Sequence, residues 1–200
     1  MRPLPLNAHR IDVTFYARPT AIVARELIGK ALLHQVGPLW VGGWIVETEA
    51  YLDKGDPASH SFRGQTPSNT SMFGDPGTLY VYPIHAKYCM NAVTQNPGEG
   101  AAVLIRAIEP VWGIDEMRRR RGFDELRRLT RGPAMLCQAL GIDRRDDARC
   151  LLSDEGLGVF QAHDSPTRPV ASTRRIGISK AKHRKLRFVD ADSKFLSRSF

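Results

Sequence analysis

The chain has 200 residues, 42% hydrophobic and 25% charged, with a formal net charge of +8. That length supports one domain with a substantial core, and the composition excludes disorder throughout. No apolar run approaches membrane-spanning length, MRPLPLNAHR lacks the apolar centre of a secretory signal, and Cys89, Cys137 and Cys150 form no CxxC pair. A cytoplasmic protein is therefore expected, nucleoid-associated if bacterial, with no membrane part, disulfide framework or zinc ribbon. The positive excess favours a polyanionic partner. It is uneven: arginines run through 118–121, Arg127, Arg128 and Arg131 follow, and 174–187 is dense in lysine and arginine. A solvated helix face is the plainer reading of the four-arginine run. Two clusters flanking an acidic, aromatic segment favour a nucleic-acid surface.

Residues 1–18 read as an N-terminal arm with little independent structure, and 19–200 as a single domain. Ile22, Val23, Leu27 and Ile28 lie at helical spacing over 21–28, and Gly29 is a C-terminal stop. Strands follow over 30–36 and 39–50, joined at Gly37-Pro38. Alternation in the second puts Ile45, Glu47, Glu49 and Tyr51 on one face and Val46, Thr48 and Ala50 on the other. Residues 53–78 form a loop rich in Gly, Pro, Asp, Asn and Ser, and a loop this long inside a compact domain is usually functional. Strands are expected over 79–84, 89–93 and 101–108, the last apolar except for Arg106. Glu109-Pro110 opens a helix to about 121. Asp124 caps a helical turn, and Pro133 opens a helix over 134–140 closed by Gly141. The remainder reads as strands over 158–161, 173–178 and 185–189. Strands in runs rather than strict alternation with helices give an α/β (α+β) fold: a single compact domain with a mainly antiparallel sheet.

Several chemistries lack their motifs: there is no P-loop, GxGxxG, HExxH, GxSxG or zinc-deaminase pattern. His9, His34, His60, His85, His163 and His183 are scattered. What remains is a carboxylate site. Glu47 and Glu49 interrupt an apolar strand, where a carboxylate is costly to bury without a partner or a task. Arg106 needs an anion for the same reason, and a carboxylate on a neighbouring strand meets that need. Such a pair fits either a structural ion pair or a site that orients and deprotonates water. Tyr51 shares the Glu49 face, and Tyr80 and Tyr82 share another. With His60 they could grip an extruded base, or simply pack with satisfied hydroxyls.

The segments VETEAYLDKGDPASHS, MFGDPGTLYVYPIHAKYCMN, AAVLIRAIEP, RGPAMLCQALGI and TRRIGISK resemble, in order, the alkyladenine (3-methyladenine) DNA glycosylase family. The resemblance spans about 17–196. It implies a single α/β domain with a curved antiparallel sheet. It also implies a monofunctional enzyme of base excision repair that flips alkylated or deaminated purines from double-stranded DNA. Such an enzyme hydrolyses the N-glycosidic bond, leaves an abasic site, and uses no metal or other cofactor. A monomer is the default expectation.

By the same resemblance, Glu49 activates water and Arg106 positions it. Tyr51, His60 and Tyr82 form the base pocket, and Asn91 crowds the exocyclic amino group of guanine. The backbone carbonyl near Ile178 accepts a hydrogen bond from the water or the base edge. Glu47 becomes structural. The departure is at His85, where many members carry a tyrosine that wedges into the duplex; the segment here is one residue shorter, and histidine is a smaller, more polar wedge. The rivals are a non-catalytic module reading damaged DNA, and a glycosylase-lyase using an amine, for which Lys87 is the nearest lysine.

Overall fold

The computed structural model describes residues 4–5, 7–153, 156–163, 165 and 167–200. Nine strands, β1 (Ala8–Arg10), β2 (Ala31–Val36), β3 (Leu39–Tyr51), β4 (Leu79–Ile84), β5 (Lys87–Val93), β6 (Ala102–Trp112), β7 (Leu157–Ala162), β8 (Val170–Thr173) and β9 (Arg187–Asp190), form one open sheet. The order is β1-β7-β2-β3-β6-β5-β4, with β9 beside β3 and β8 beside β9; every pairing is antiparallel. Among the described residues five α-helices accompany it: α1 (Val13–Tyr16), α2 (Thr20–Glu26), α3 (Ile114–Arg121), α4 (Leu126–Leu129) and α5 (Pro133–Leu140). The α+β architecture expected from the strand pattern is the one observed.

β3 organises the molecule. One edge pairs with β6 along most of its length; the other pairs first with β2, then, past the end of β2, with β9 at Glu47–Glu49. Adjacent glycines permit the crowding where the register shifts: a Cβ on Gly42 would lie 2.0 Å from the Leu32 carbonyl oxygen, and one on Gly43 1.9 Å from that of Glu109.

Period-two alternation then sorts the central strands into two faces. Thr48, Ala50, Val81, Met90, Ala92, Val103 and Ile105 turn toward α2 and α5, where they meet Val23, Ala24, Leu27, Leu136 and Cys137 in the main core. A fully buried side chain such as Ile105 contributes about 1.5–3 kcal/mol there. The opposite face carries Glu47, Glu49 and Tyr51 of β3, Leu104 and Arg106 of β6, Cys89 and Asn91 of β5, and Tyr80 and Tyr82 of β4.

Four expectations need correction. Ile45 does not share the face of Glu47: the register shifts on both sides of Glu47, so Ile45 packs with Ala50 in the main core while Val46 packs with Ala107, Val189 and Leu196. Arg106 lies in that irregularity, between Ala107 opposite Glu47 and Ile105 opposite Thr48. Such bulges re-aim side chains. The helix expected from Pro110 begins instead at Ile114, after Gly113 in the left-handed region. β6 continues through Trp112 because β3 is long enough to pair with it, and Pro110 sits opposite Gly43 beside the register shift, where its missing N–H is tolerated. Asp124 is not a cap: α4 starts after Glu125 with no side-chain cap. The strand expected over 173–178 ends at Thr173, because β9 offers partners only for Val170–Thr173.

The N-terminal residues are more integrated than an arm. β1 pairs with β7, Tyr16 is fully buried, and Arg10 donates to the Leu151 and Leu157 carbonyls at 2.6 and 2.7 Å. Residues 53–78 remain irregular, broken by two 3-10 turns, His60–Arg63 and Thr70–Phe73.

Candidate functional site

The polar face of β3, β6, β5 and β4 forms the floor of a cavity of about 550 Å³. That volume suits a small ligand or a nucleobase rather than a macromolecule. The register explains the convergence: Tyr80 stands opposite Asn91, Asn91 opposite Leu104, and Leu104 opposite Glu49, one row across four strands. The loop after β8 (Ile176 to Lys180) and the 57–60 stretch form the walls.

Glu49 is fully buried just beneath this floor, and it does not itself line the cavity. Its Oε2 accepts from the Tyr51 hydroxyl at 2.8 Å and from Arg106 Nη1 at 3.3 Å; Oε1 accepts from the Ile176 N–H at 2.8 Å. A carboxylate has about four acceptor directions, so three donors leave one open, on Oε1. Burial raises its pKa above the ordinary glutamate value, although Arg106, the Ile176 N–H and the Tyr51 hydroxyl pull the other way. A carboxylate so tuned is a better base near neutral pH than an exposed one.

Glu47, also fully buried, differs. Its Oε1 accepts from Arg106 Nε and Arg187 Nε, both at 2.8 Å, and from the Ser197 hydroxyl at 2.7 Å; Oε2 accepts from the Ser197 N–H at 2.6 Å. Burial opposes ionisation here too, but Arg106 and Arg187 together hold the pKa below the usual value. Three of its four donors converge on Oε1. Glu47 is an anchored counter-ion, and Arg106 forks between the two carboxylates.

The structure brings Tyr51, His60, Tyr82, Asn91, Ile178 and Arg106 to one cavity. Each tyrosine is already engaged. The Arg175 guanidinium covers one face of Tyr51 at 4.7 Å, and the His60 ring meets Tyr82 edge-on at 4.5 Å. His60 Nδ1 lies 2.9 Å from the Tyr80 hydroxyl; the surrounding rings remove water and lower its pKa. Burial pushes the Tyr80 hydroxyl up to about 12. Asn91 donates from Nδ2 to the Tyr80 carbonyl at 3.0 Å, which fixes its amide at the cavity wall. His85 stands apart from this lining, exposed at the tip of the β4–β5 hairpin. His85 and Ala86 have φ of 45° and 58°, the pair of positive angles that a two-residue type I′ loop demands. Neither is glycine, so the tip is strained by about 1–2 kcal/mol per residue. Ile84, which precedes it, is exposed and lines the cavity mouth.

Sequence reasoning missed the supports. Ile176 lay in a segment read as strand, yet its N–H is the third donor to Glu49. Arg175, next to it, forms a bidentate pair with Asp56, 2.6 Å at each contact, and donates to the Ala50 carbonyl at 2.9 Å. Both partners are fully buried. Arg175→Met is expected to cost about 3–5 kcal/mol by stranding a buried carboxylate. Asp56 has its pKa lowered by Arg175 and backbone donors against the opposing effect of burial, so its stabilisation is present above the ordinary aspartate pKa and lost as pH falls through the depressed value. Thermal melts of the variant should therefore differ from wild type most at neutral pH and converge in strong acid; a difference independent of pH would contradict this account.

The four-arginine run is also revised. Arg118 pairs with Asp115, Arg119 and Arg120 with Glu116, and Arg121 is buried against the Leu129 carbonyl and Gln138. A single solvated face does not describe it: Arg119 is exposed but Arg121 is buried, and all four cations have partners within α3 and its neighbours. By contrast Lys180 lines the cavity, and Lys182, His183 and Lys185, which follow it in the chain, are exposed. Among the described residues, no group of three or more His, Cys, Asp or Glu side chains could hold a metal ion, and no helix is long and apolar enough to cross a membrane.

Residues 14–194 match the family profile described as Methylpurine-DNA glycosylase (MPG). A protein of Rhodopirellula baltica is 50% identical over 196 residues, covering 96% of this chain and 84% of its own length. One from Methanoculleus marisnigri is 44% identical over 192 residues, 94% of this chain and 98% of its own. A third, from Nitrosospira multiformis, is 48% identical over 179 residues, 89% of each. All three are provisionally named 3-methyladenine DNA glycosylase.

Proposed function

This chain belongs to the methylpurine-DNA glycosylase family, and from that premise we propose that it excises alkylated or deaminated purines from duplex DNA by hydrolysis on a Glu49-activated water. The observation that carries the reading is the stack of parts at one place: an aromatic cavity of about 550 Å³ over a buried carboxylate that keeps one acceptor direction open. A cavity that size has room for a flipped purine.

The steps follow from the residues. Lys180 at the cavity, with the exposed Lys182 and Lys185 that follow it in the chain, meets backbone phosphates, which makes affinity fall with salt. Unpairing the nucleotide costs a few kcal/mol, least at damaged bases. Tyr51 and Tyr82 then offer ring faces to the base, and a positive charge from N-alkylation strengthens that contact while improving the leaving group. Asn91, held by the Tyr80 carbonyl, crowds the exocyclic amino group of guanine and so disfavours the ordinary base, whose bond to the sugar is not weakened by alkylation. Water held at the open direction of Glu49 gives up a proton as the glycosidic bond breaks, and the carboxylate stabilises the oxocarbenium-like sugar. Arg106, shared between Glu47 and Glu49, keeps Glu49 ionised for that step.

A non-catalytic reader of damaged DNA has no use for a carboxylate with an open acceptor beneath the pocket. A lyase needs an amine nucleophile; Lys87 is exposed on β5, with its Nζ 3.9 Å from Met135 Sδ. The test is single-turnover excision on duplexes carrying 3-methyladenine, 7-methylguanine, hypoxanthine or ethenoadenine, with borohydride added in parallel. Abasic product without a trapped covalent adduct is expected; an adduct, or no excision of any lesion, would reject the reading.

His85 is assigned as the wedge that fills the gap left by the flipped nucleotide. His85→Tyr enlarges the apolar area inserted between base steps while leaving the tip backbone strained as before. Slower release of an ethenoadenine duplex is expected, read by its base fluorescence. Unchanged affinity and flipping would remove the assignment.

A further inference from the structure

We propose that Ser197 is a positioning residue for the hydrolysis, acting through Glu47 and Arg106 to hold Glu49 in place; this rests on the reading of Glu49 given above. The segment around it is clamped on both sides: Arg131 Nε donates to the Leu196 carbonyl at 3.1 Å, and Arg187 Nη2 donates to the Arg198 carbonyl. Between those clamps, the Ser197 N–H and hydroxyl both point at Glu47, one to each carboxylate oxygen. The same hydroxyl oxygen accepts from Arg106 Nη2 at 3.3 Å. Ser197 thus closes a ring in which Arg106 and Glu47 each touch it and each other.

The consequence follows from competition for Arg106. Its Nε serves Glu47 at 2.8 Å, while Nη1 reaches Glu49 at the longer 3.3 Å. With Ser197 satisfying Glu47, the guanidinium can be shared. Without the hydroxyl, Glu47 draws more heavily on Arg106, and the longer contact to Glu49 is the one that weakens. The groups facing Glu49 are Arg106 from β6, Glu47 and Tyr51 from β3, Cys89 from β5, and Arg175 with the Ile176 N–H from the loop after β8. Of these, only the two arginines are cations. Weakening Arg106 therefore leaves Glu49 less ionised at a given pH, and excision should fail at a higher pH than in wild type.

Ser197→Ala keeps the N–H and removes the hydroxyl. The single-turnover rate is expected to fall about tenfold at neutral pH, the scale of one hydrogen bond to a charged group. Its acid limb should move to higher pH, while affinity for a duplex with an uncleavable abasic analogue stays at the wild-type value. Ser197→Thr should restore both rate and limb; Ser197→Pro, which removes the N–H as well, should lose more than Ser197→Ala. Rates are counted per molecule competent to bind the analogue, so a loss of folded protein does not register as a loss of rate. A Ser197→Ala enzyme with a wild-type rate, or one slowed equally at every pH, overturns the proposal while an inactive Glu49→Gln control leaves the reading of Glu49 standing. Full activity in Glu49→Gln overturns both.

Discussion

Glu49→Gln is expected to bind lesion-containing duplex with near wild-type affinity and to excise the base about 10²–10⁴-fold more slowly, the range that general-base assistance supplies. Affinity should survive because Glu49 lies beneath the cavity floor and the residues that line it are untouched. The rate should not, because the amide cannot take a proton from water. Gln also fits its surroundings poorly. Glu49 accepts from three donors, whereas an amide offers one oxygen and an NH2 group that must face either the Ile176 N–H or Arg106. One mismatched contact costs about 1–3 kcal/mol of stability, partly offset because a neutral group is cheaper to bury. Single-turnover kinetics beside a thermal melt separate the two effects. In wild type the same logic fixes the sign of the acid limb. Burial raises the Glu49 pKa, so excision should decline as pH falls through a value above the ordinary glutamate range. Excision by Glu49→Gln within tenfold of wild type would mean that another group activates the water.

The sheet was legible in the sequence because alternation is strict in the strands that build the site: Glu49 and Tyr51, Tyr80 and Tyr82, and Cys89 and Asn91 each lie two apart on one face. Alternation failed where a tertiary partner overrode it. Pro110 looked like a helix opener until β3 proved long enough to pair past it, and Ile45 changed faces at a register shift that no local signal announces. The parts of the site hardest to read are its supports. Asp56 and Arg175 are 119 residues apart, and Glu47 and Ser197 are 150 apart. Neither Asp56 nor Ser197 interrupts an apolar run, so nothing in the sequence flags them. Glu47 and Glu49 were indistinguishable by pattern, and only the family resemblance separated them. Their surroundings differ: Glu47 has four donors, two of them from arginines, whereas Glu49 has three, one of them from an arginine.

Arg106→Met is expected both to destabilise the molecule and to suppress excision. The guanidinium is the only cation in hydrogen-bonding contact with both carboxylates among the described residues. Its removal leaves Glu47 with Arg187 and Ser197, and leaves Glu49 with a backbone N–H and a tyrosine hydroxyl. Breaking a buried pair costs about 3–5 kcal/mol, and a domain of this size loses roughly 2–4 °C of Tm per kcal/mol. The pH dependence should change as well. In wild type, Glu47 has a depressed pKa, so it contributes stability above the unfolded glutamate value that is lost as pH falls through the folded one. Glu49 has a raised pKa and works in the opposite sense: its folded form holds the proton longer, so its contribution falls as pH rises between the unfolded and folded values. Without Arg106 the lowering on Glu47 weakens and the raising on Glu49 grows. The variant should therefore lose stability from weakly acidic to neutral pH, a range in which wild type loses less. Residual excision should need a higher pH than in wild type, because Glu49 ionises less readily without Arg106. Denaturant melts across that range decide the matter: parallel wild-type and Arg106→Met curves would show that Arg106 does not control the charge state of Glu49.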